Sequence, residues 1–487
     1  MSSRKRIVTA GLAILSLSLL IHRSTAQQEL PSALSGFDAS ELFDVGDDGQ
    51  FSNSDEFMIS LLMRSANASQ ESWERFADFN QGIGLQAIQA DPQNFRFQVF
   101  ELKGRVKSVW PIRLPERYED SGLKGFYLVL GQSDTGEPWV IAARSVPRVW
   151  PVRTPLDEPI QCLGFFQAFV DFSSFSDATL ETASGDLLGR APLFVTDRLG
   201  WFPDRANSSL GVTESHALLA GKGVDIGQFE FVKKNNNRAI EESDSRCFFQ
   251  LLAAAKHLKP DDFKGQWSSF VGLLENPKDH FGGAVQFTGH VKRAVRIYID
   301  RKAVRERLGM DYYYELDMFV PLGNSRIVIK SRPRGGADGE AEDIEYANRF
   351  PATVCVPTLP GTPEEIRGKR VSIRGFFMKF WNYESEFTSR LHPSLGQISP
   401  LVVGVEPIIN NSSKQAIDGI LLTVIVLVVA GVVGLIWFFY RSDERQKNPL
   451  HGRLYDLQGD LDLPEMEADQ RPSDEDVGGG EIDIHTD

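Results

Sequence analysis

Two stretches 185 residues apart carry one pattern: "ELKGRVKSVWPI" at Glu101–Ile112 and "QFTGHVKRAVRI" at Gln286–Ile297. Further matches keep the same order along the chain. "FMISLL" (Phe57–Leu62) pairs with "CFFQLL" (Cys247–Leu252), and the W-x-x-F of Trp73 and Phe76 with that of Trp267 and Phe270. "AIQADP" (Ala87–Pro92) pairs with the "LLENP" that ends at Pro277, and "SVP" (Ser145–Pro147) with "CVP" (Cys355–Pro357). "TPLD" (Thr154–Asp157), "GFFQAF" (Gly164–Phe169) and "PLFV" (Pro192–Val195) meet "TPEE" (Thr362–Glu365), "GFFMKF" (Gly375–Phe380) and "PLVV" (Pro400–Val403). Solenoid repeats recur every ~20–50 residues, far short of this period. The chain is therefore read as a whole domain duplicated, with unit one over residues 52–204, a linker over 205–242 and unit two over 243–411.

Each unit opens on helical sequence. "CFFQLLAAAKHL" is rich in Ala and Leu, and Pro260 ends it. The repeated strand follows. Phe287, Gly289, Val291, Val295, Ile297 and Ile299 share one parity, and Thr288, His290, Lys292 and Arg296 share the other. Period two with one apolar face is a half-buried strand. The glycine common to both copies, Gly104 and Gly289, predicts a bend or a close backbone approach. Strands are expected at 125–131, 138–147, 159–172 and 191–197 in unit one. Thr-Pro-x-Asp/Glu between the third and fourth strands is a helix start: Thr as N-cap, Pro at the first turn, an acid three residues on. In unit two, about 26 extra residues, including "RPRGGADGEAEDIE" (332–345), leave open whether "YYYELDMFV" or "RIVIKS" is strand two.

The order β-β-β-short α-β-β with a G-x-V first strand resembles the OB-fold, a five-stranded barrel with a helix between strands three and four. The resemblance is one of topology, and an unrelated small barrel or sandwich fits the same order. The fold class expected is α+β, mainly β: two tandem OB-like small β-barrels, each preceded by helices, plus one C-terminal transmembrane helix.

Two segments suggest an address. Residues 1–26 join a basic start (Arg4, Lys5, Arg6) to an apolar core and "STA", the pattern of a signal peptide cleaved after Ala26. An uncleaved anchor is the alternative. Gly419–Tyr440 holds 22 residues without a charge, followed by Arg441, Arg445 and Lys447. Such a run is expected to span a bilayer within 417–440, leaving the tail 441–487 in the cytoplasm. Residues 27–51 read as a flexible lead-in. The tail, with 14 acids against 5 bases, reads as disordered. Three cysteines, Cys162, Cys247 and Cys355, are too few for a disulfide-stapled ectodomain and favour a bacterial envelope over an animal cell surface; all three fall in apolar runs and are expected as buried thiols, with one disulfide as the alternative. The localisation expected is the bacterial cytoplasmic membrane, single-pass, ectodomain outward.

Formal net charge is −14, which argues against nucleic acid as a partner. His216, His257, His280, His290 and His392 lack metal-ligand spacing, and neither a nucleophile elbow nor a P-loop is present. No catalytic residue, metal site or cofactor is nominated. The candidate binding residues are Lys292, Arg293, Arg296 and Arg301 with Tyr312 and Tyr314, cations and aromatics that would stack with or hold an anionic ligand. Outside the cytoplasm the partner would be an envelope protein, a glycan or a lipid headgroup. These features favour a non-enzymatic binding or scaffolding protein. An envelope-polymer hydrolase and a single-pass receptor are the alternatives.

Overall fold

A computed structural model describes residues 49–50, 56–66, 70–78, 80–121, 123–171, 190–263, 267–331, 342–383, 397–410 and 414–443. The expected signal peptide, nearly all of the lead-in and the acidic tail beyond 443 lie outside the described residues.

Unit one begins with β1 (Gly49–Gln50), α1 (Glu56–Ser65), α2 (Gln70–Asp78), α3 (Leu85–Ala90) and α4 (Pro92–Phe95). Its strands are β2 (Val99–Arg113), β3 (Gly125–Ser133), β4 (Pro138–Ser145), β5 (Glu158–Asp171), β6 (Arg190–Arg198) and the short β7 (Gly200–Trp201). Neighbours β5-β2-β3-β4-β6 close into a ring because β6 also pairs with β5. All pairings in the ring are antiparallel except β4 with β6.

The joining segment carries α5 (Glu214–Ala220) and α6 (Phe229–Lys234). Unit two then runs α7 (Glu242–His257), α8 (Phe270–Glu275), β8 (Ala284–Tyr298), α9 (Lys302–Leu308), β9 (Tyr312–Ser331), β10 (Glu342–Val356), α10 (Pro363–Ile366), β11 (Arg370–Tyr383), β12 (Gln397–Gly404) and β13 (Ile408–Ile409). Its pairing ring, β11-β8-β9-β10-β12-β11, has the same order and the same single parallel pair, β10 with β12.

The two rings also share their irregularities. A bulge falls after Val106 in β2 and after Val291 in β8. A second falls after Phe166 in β5 and after Phe377 in β11. The C-caps of α3 and α8, Asp91 and Asn276, adopt nearly equal backbone angles before Pro92 and Pro277. Trp73 meets Phe165 directly at 4.6 Å between ring centroids; in unit two Phe263 is stacked between Trp267 and Phe376, the matching residues. A ring order, two bulges and a cap that agree at aligned positions are consistent with a duplicated barrel.

The first bulge corrects the expected strand parity. One extra residue at Lys107 or Lys292 turns the later side chains over. Val106 and Val109 therefore join one buried cluster, while Trp110 belongs to another. Arg296 and Tyr298 come to lie opposite Tyr314 and Tyr312. The glycine reading fits: a Cβ on Gly104 would lie 2.1 Å from the Gln132 carbonyl oxygen, so the backbones touch there.

The short helix expected before the fourth strand forms in unit two only. There the Thr362 side chain accepts from the Glu365 N–H and Glu365 reaches back to the Thr362 N–H, a capping box over α10. In unit one, residues 151–157 form no helix. The matching acid, Asp157, is held by Arg105 at 2.9 Å and Lys107 at 2.7 Å, and the segment lies along β2 through Leu156 N–H to Lys107 and Arg153 N–H to Val109. A non-local ion pair takes the group that the helix needed. "YYYELDMFV" and "RIVIKS" both lie in one strand, β9.

Residues 205–242 do not hang free. Leu210, Val212, Leu219, Val224, Ile226, Phe229 and Val232 are buried, and they belong to one hydrophobic cluster that includes Phe166 and Phe194 of unit one and Phe377 and Val403 of unit two. The copies also differ in what holds the leading helix. α1 packs on β6 and α7 on β12. In unit one the contact is apolar and includes Ala168. In unit two the matching residue is Lys379, wholly buried, 2.8 Å from the equally buried Asp244 of α7.

The C-terminal helix α11 (Lys414–Asp443) corrects the expected transmembrane helix. Among the described residues no helix is long and apolar enough to cross a membrane. Cys162, Cys247 and Cys355 are free buried thiols, so the disulfide alternative does not hold.

Candidate functional site

The nominated cations do not form one patch. Lys292 is the bulge residue of β8, with Nζ 5.9 Å from the Phe319 ring centre. Arg293 reaches across to β9 and binds Asp317 at 2.9 Å and Glu315 at 3.3 Å. Arg301, the N-cap of α9, pairs with Glu242 at 2.8 Å. Of the rest of the basic run, Lys302 faces Glu306, Arg305 faces Asp311 and donates to the Ile299 and Asp300 carbonyls, and Arg307 pairs with Glu74 of unit one at 2.7 Å. Charge read along the sequence overstated the free positive surface, because acids of α2, α7 and β9 answer Arg307, Arg301 and Arg293.

Arg296, Tyr312 and Tyr314 do come together. The guanidinium lies 4.5 Å from the Tyr312 ring centre and 5.6 Å from that of Tyr314, and it donates to the Tyr314 hydroxyl at 3.3 Å. Tyr298, not foreseen, completes the group: it stands opposite Tyr312 in the ladder, 5.9 Å between centroids, and is 63% exposed. The parity expected of an unbulged strand separates these side chains from the inward face of β9; the extra residue at Lys292 brings them over it. The result is a row of aromatic rings with one cation set among them, open to water at Tyr298 and Arg296, with Tyr312 half-buried and Tyr314 buried. Such a row can stack on a flat partner and donate hydrogen bonds.

Glu315, beside this row, has its carboxyl pushed up by burial and then by Asp317, with Arg293 acting against both. A carboxyl raised in the fold adds stability below its unfolded pKa and withdraws it as pH rises through the folded value. Glu315→Gln is therefore expected to raise the urea midpoint at pH 7, within about 1 kcal/mol. The gain should vanish at pH 4 and below; an equal gain at both pH values would refute the assignment.

A cleft of about 440 Å³ lies between the copies. Glu74, Arg198, Lys222, Arg246 and Arg307 are among the residues that line it. Arg198 pairs at 2.8 Å with Asp225, which is fully buried. Burial works against the charge of Arg246 while Asp225 supports it. These side chains come from α2, β6, the joining segment, α7 and α9, so no local motif announces them. Among the described residues no group of His, Cys, Asp and Glu could hold a metal ion.

Comparison with known proteins finds no family model and no curated sequence that matches the chain.

Proposed function

We propose that the chain is a non-enzymatic binding or scaffolding protein of a bacterial envelope, built on two OB-folds. The ring order of strands 1-2-3-5-4, with strands three and five parallel in both copies, supports the OB reading. The observation that carries the binding reading is the row of Tyr298, Arg296, Tyr312 and Tyr314 on the second barrel, exposed at Tyr298 and Arg296 and backed by the half-buried Tyr312 and the buried Tyr314. The Tyr298 ring, the half-buried Tyr312 ring and one guanidinium supply flat apolar area and directed donors in one place, the chemistry that recognises a sugar face or a planar side chain. The extracytoplasmic part of the reading rests on the N-terminal sequence, residues 1–26.

Sedimentation of the full chain with isolated cell-wall sacculi tests the reading. Saturable co-sedimentation, weakened at least tenfold by Arg296→Ala with Tyr298→Ala, is expected, the guanidinium and the ring each contributing on the order of 1 kcal/mol. Wild-type protein that stays in the supernatant, or a double variant that pellets like wild type, would dismiss this face as a glycan site.

A further inference from the structure

A second concave site lies on the same barrel, where the bulge of β8 meets β9 and β10. It encloses about 310 Å³, and His290, Lys292, Phe319, Pro321, Arg349 and Gly368 are among its lining residues. Two irregularities build it. Lys292 is the extra residue of β8. On the other side of β9, the pairing shifts between Ala347 and Arg349, opposite Pro321. The surplus is in β9, where 322–325 stand against Asn348 alone, and Asn348 lies in the left-handed region at φ 70°. Both steps turn a cation toward one ring: the Arg349 guanidinium is 4.8 Å from the Phe319 centroid and the Lys292 ammonium 5.9 Å. No acid is among the lining residues. Among the described residues neither cation is within ion-pair distance of one.

The other copy shows how this charge is normally answered. Gly-x-Val-Lys aligns His290 and Lys292 with Arg105 and Lys107. In unit one Asp157 binds both cations, and Asp204 takes Arg105 as well, at 2.7 Å. Unit two keeps an acid at the position of Asp157. It is Glu365, and it turns back to cap its own helix at Thr362. The same acid neutralises the first strand in one copy and is withdrawn from it in the other.

We infer that this pocket of unit two is an anion site for a phosphate-bearing ligand. Arginine supplies a planar fork and lysine a point charge, the pair that recognises phosphoryl oxygens, and the Phe319 ring offers an apolar wall for the group that carries the phosphate. The site is separate from the tyrosine row, and its test does not depend on that reading.

Isothermal titration of the full chain with inorganic phosphate and with glycerol 1-phosphate tests the site, alongside flotation with phosphatidylglycerol and phosphatidylcholine vesicles. Saturable binding of both soluble probes is expected, tighter for the ester and weakened by salt. Lys292→Ala with Arg349→Ala should weaken it at least tenfold without moving the urea midpoint, since both side chains are exposed. Lys292→Gln with Arg349→Gln should behave alike and guards against loss of the aliphatic stems. Lys107→Ala, the matching change in unit one, should leave binding unchanged, as should Arg296→Ala with Tyr298→Ala. Flotation with phosphatidylglycerol alone, competed by glycerol 1-phosphate, would identify a lipid headgroup as the source. Soluble binding without flotation would identify a free phosphate ester. Heatless titrations with both soluble probes, or a double variant that binds like wild type, would overturn the inference.

Discussion

Lys379→Ala should destabilise the protein by about 3–5 kcal/mol, the usual consequence of removing one partner from a buried ion pair. Both Lys379 and Asp244 are withdrawn from water, and the ammonium also donates to the Ala239 carbonyl at 3.2 Å. Asp244 is engaged further, by the Glu241 N–H and the Asn235 amide. Alanine at 379 would leave a carboxylate in the interior with its strongest partner gone. Copy one tolerates alanine at the matching position, Ala168, because the helix facing it brings Met58, Leu61 and Leu62 rather than an acid. The double change Lys379→Met with Asp244→Asn should therefore recover most of the loss, since an uncharged pair owes no desolvation. Urea denaturation of the three proteins is the measurement. A Lys379→Ala midpoint within error of wild type would show that the pair is not held apart from solvent.

Asp225→Ala should have an effect of the same size for a different reason. This carboxylate, fully buried, accepts from the Trp201 N–H at 2.9 Å, the Gly227 N–H at 3.0 Å, the Gln228 amide at 3.2 Å and the Arg198 guanidinium at 2.8 Å. A typical hydrogen bond contributes about 1 kcal/mol, and one to a charged group more. Losing four acceptor contacts while stranding a guanidinium gives about 3–5 kcal/mol. Asp225→Asn keeps an acceptor for the backbone donors and loses the charge pairing, so its cost should fall clearly below that of alanine. Equal losses for the two variants would mean that the backbone contacts contribute nothing. A destabilised Asp225→Ala protein should also expose the 205–242 segment to limited proteolysis before either barrel is cut.

The barrels were legible because alternation and local caps are written in neighbouring residues. Val99–Arg113 and Ala284–Tyr298 announce themselves by period two, and Thr362-Pro-Glu-Glu by the order of a helix start. Where the reading failed, the deciding partner lay far along the chain. The same Thr-Pro-x-acid order at 154–157 does not wind into a helix because Arg105 and Lys107 claim its aspartate. The bulges were invisible because one added residue in a period-two strand leaves both parities plausible until the partner strand is seen. β9 looked like two candidates because Pro321 and Gly323 imitate a turn within it. The basic run looked free because Glu74 and Glu242, which answer two of its members, belong to other helices. For the tyrosine row, Tyr298 two residues after Arg296 was the available clue.

Ancestral copies joined end to end usually remain separable modules, but here a common interior removes that freedom. Leu219, Val224, Phe229 and Val232 are buried in one cluster with residues of both barrels, so a cut at either end of the bridge uncovers oily surface. The smallest portable piece of this molecule is accordingly the pair with its bridge. A substitution tolerated in a lone barrel must, in this setting, also suit its twin.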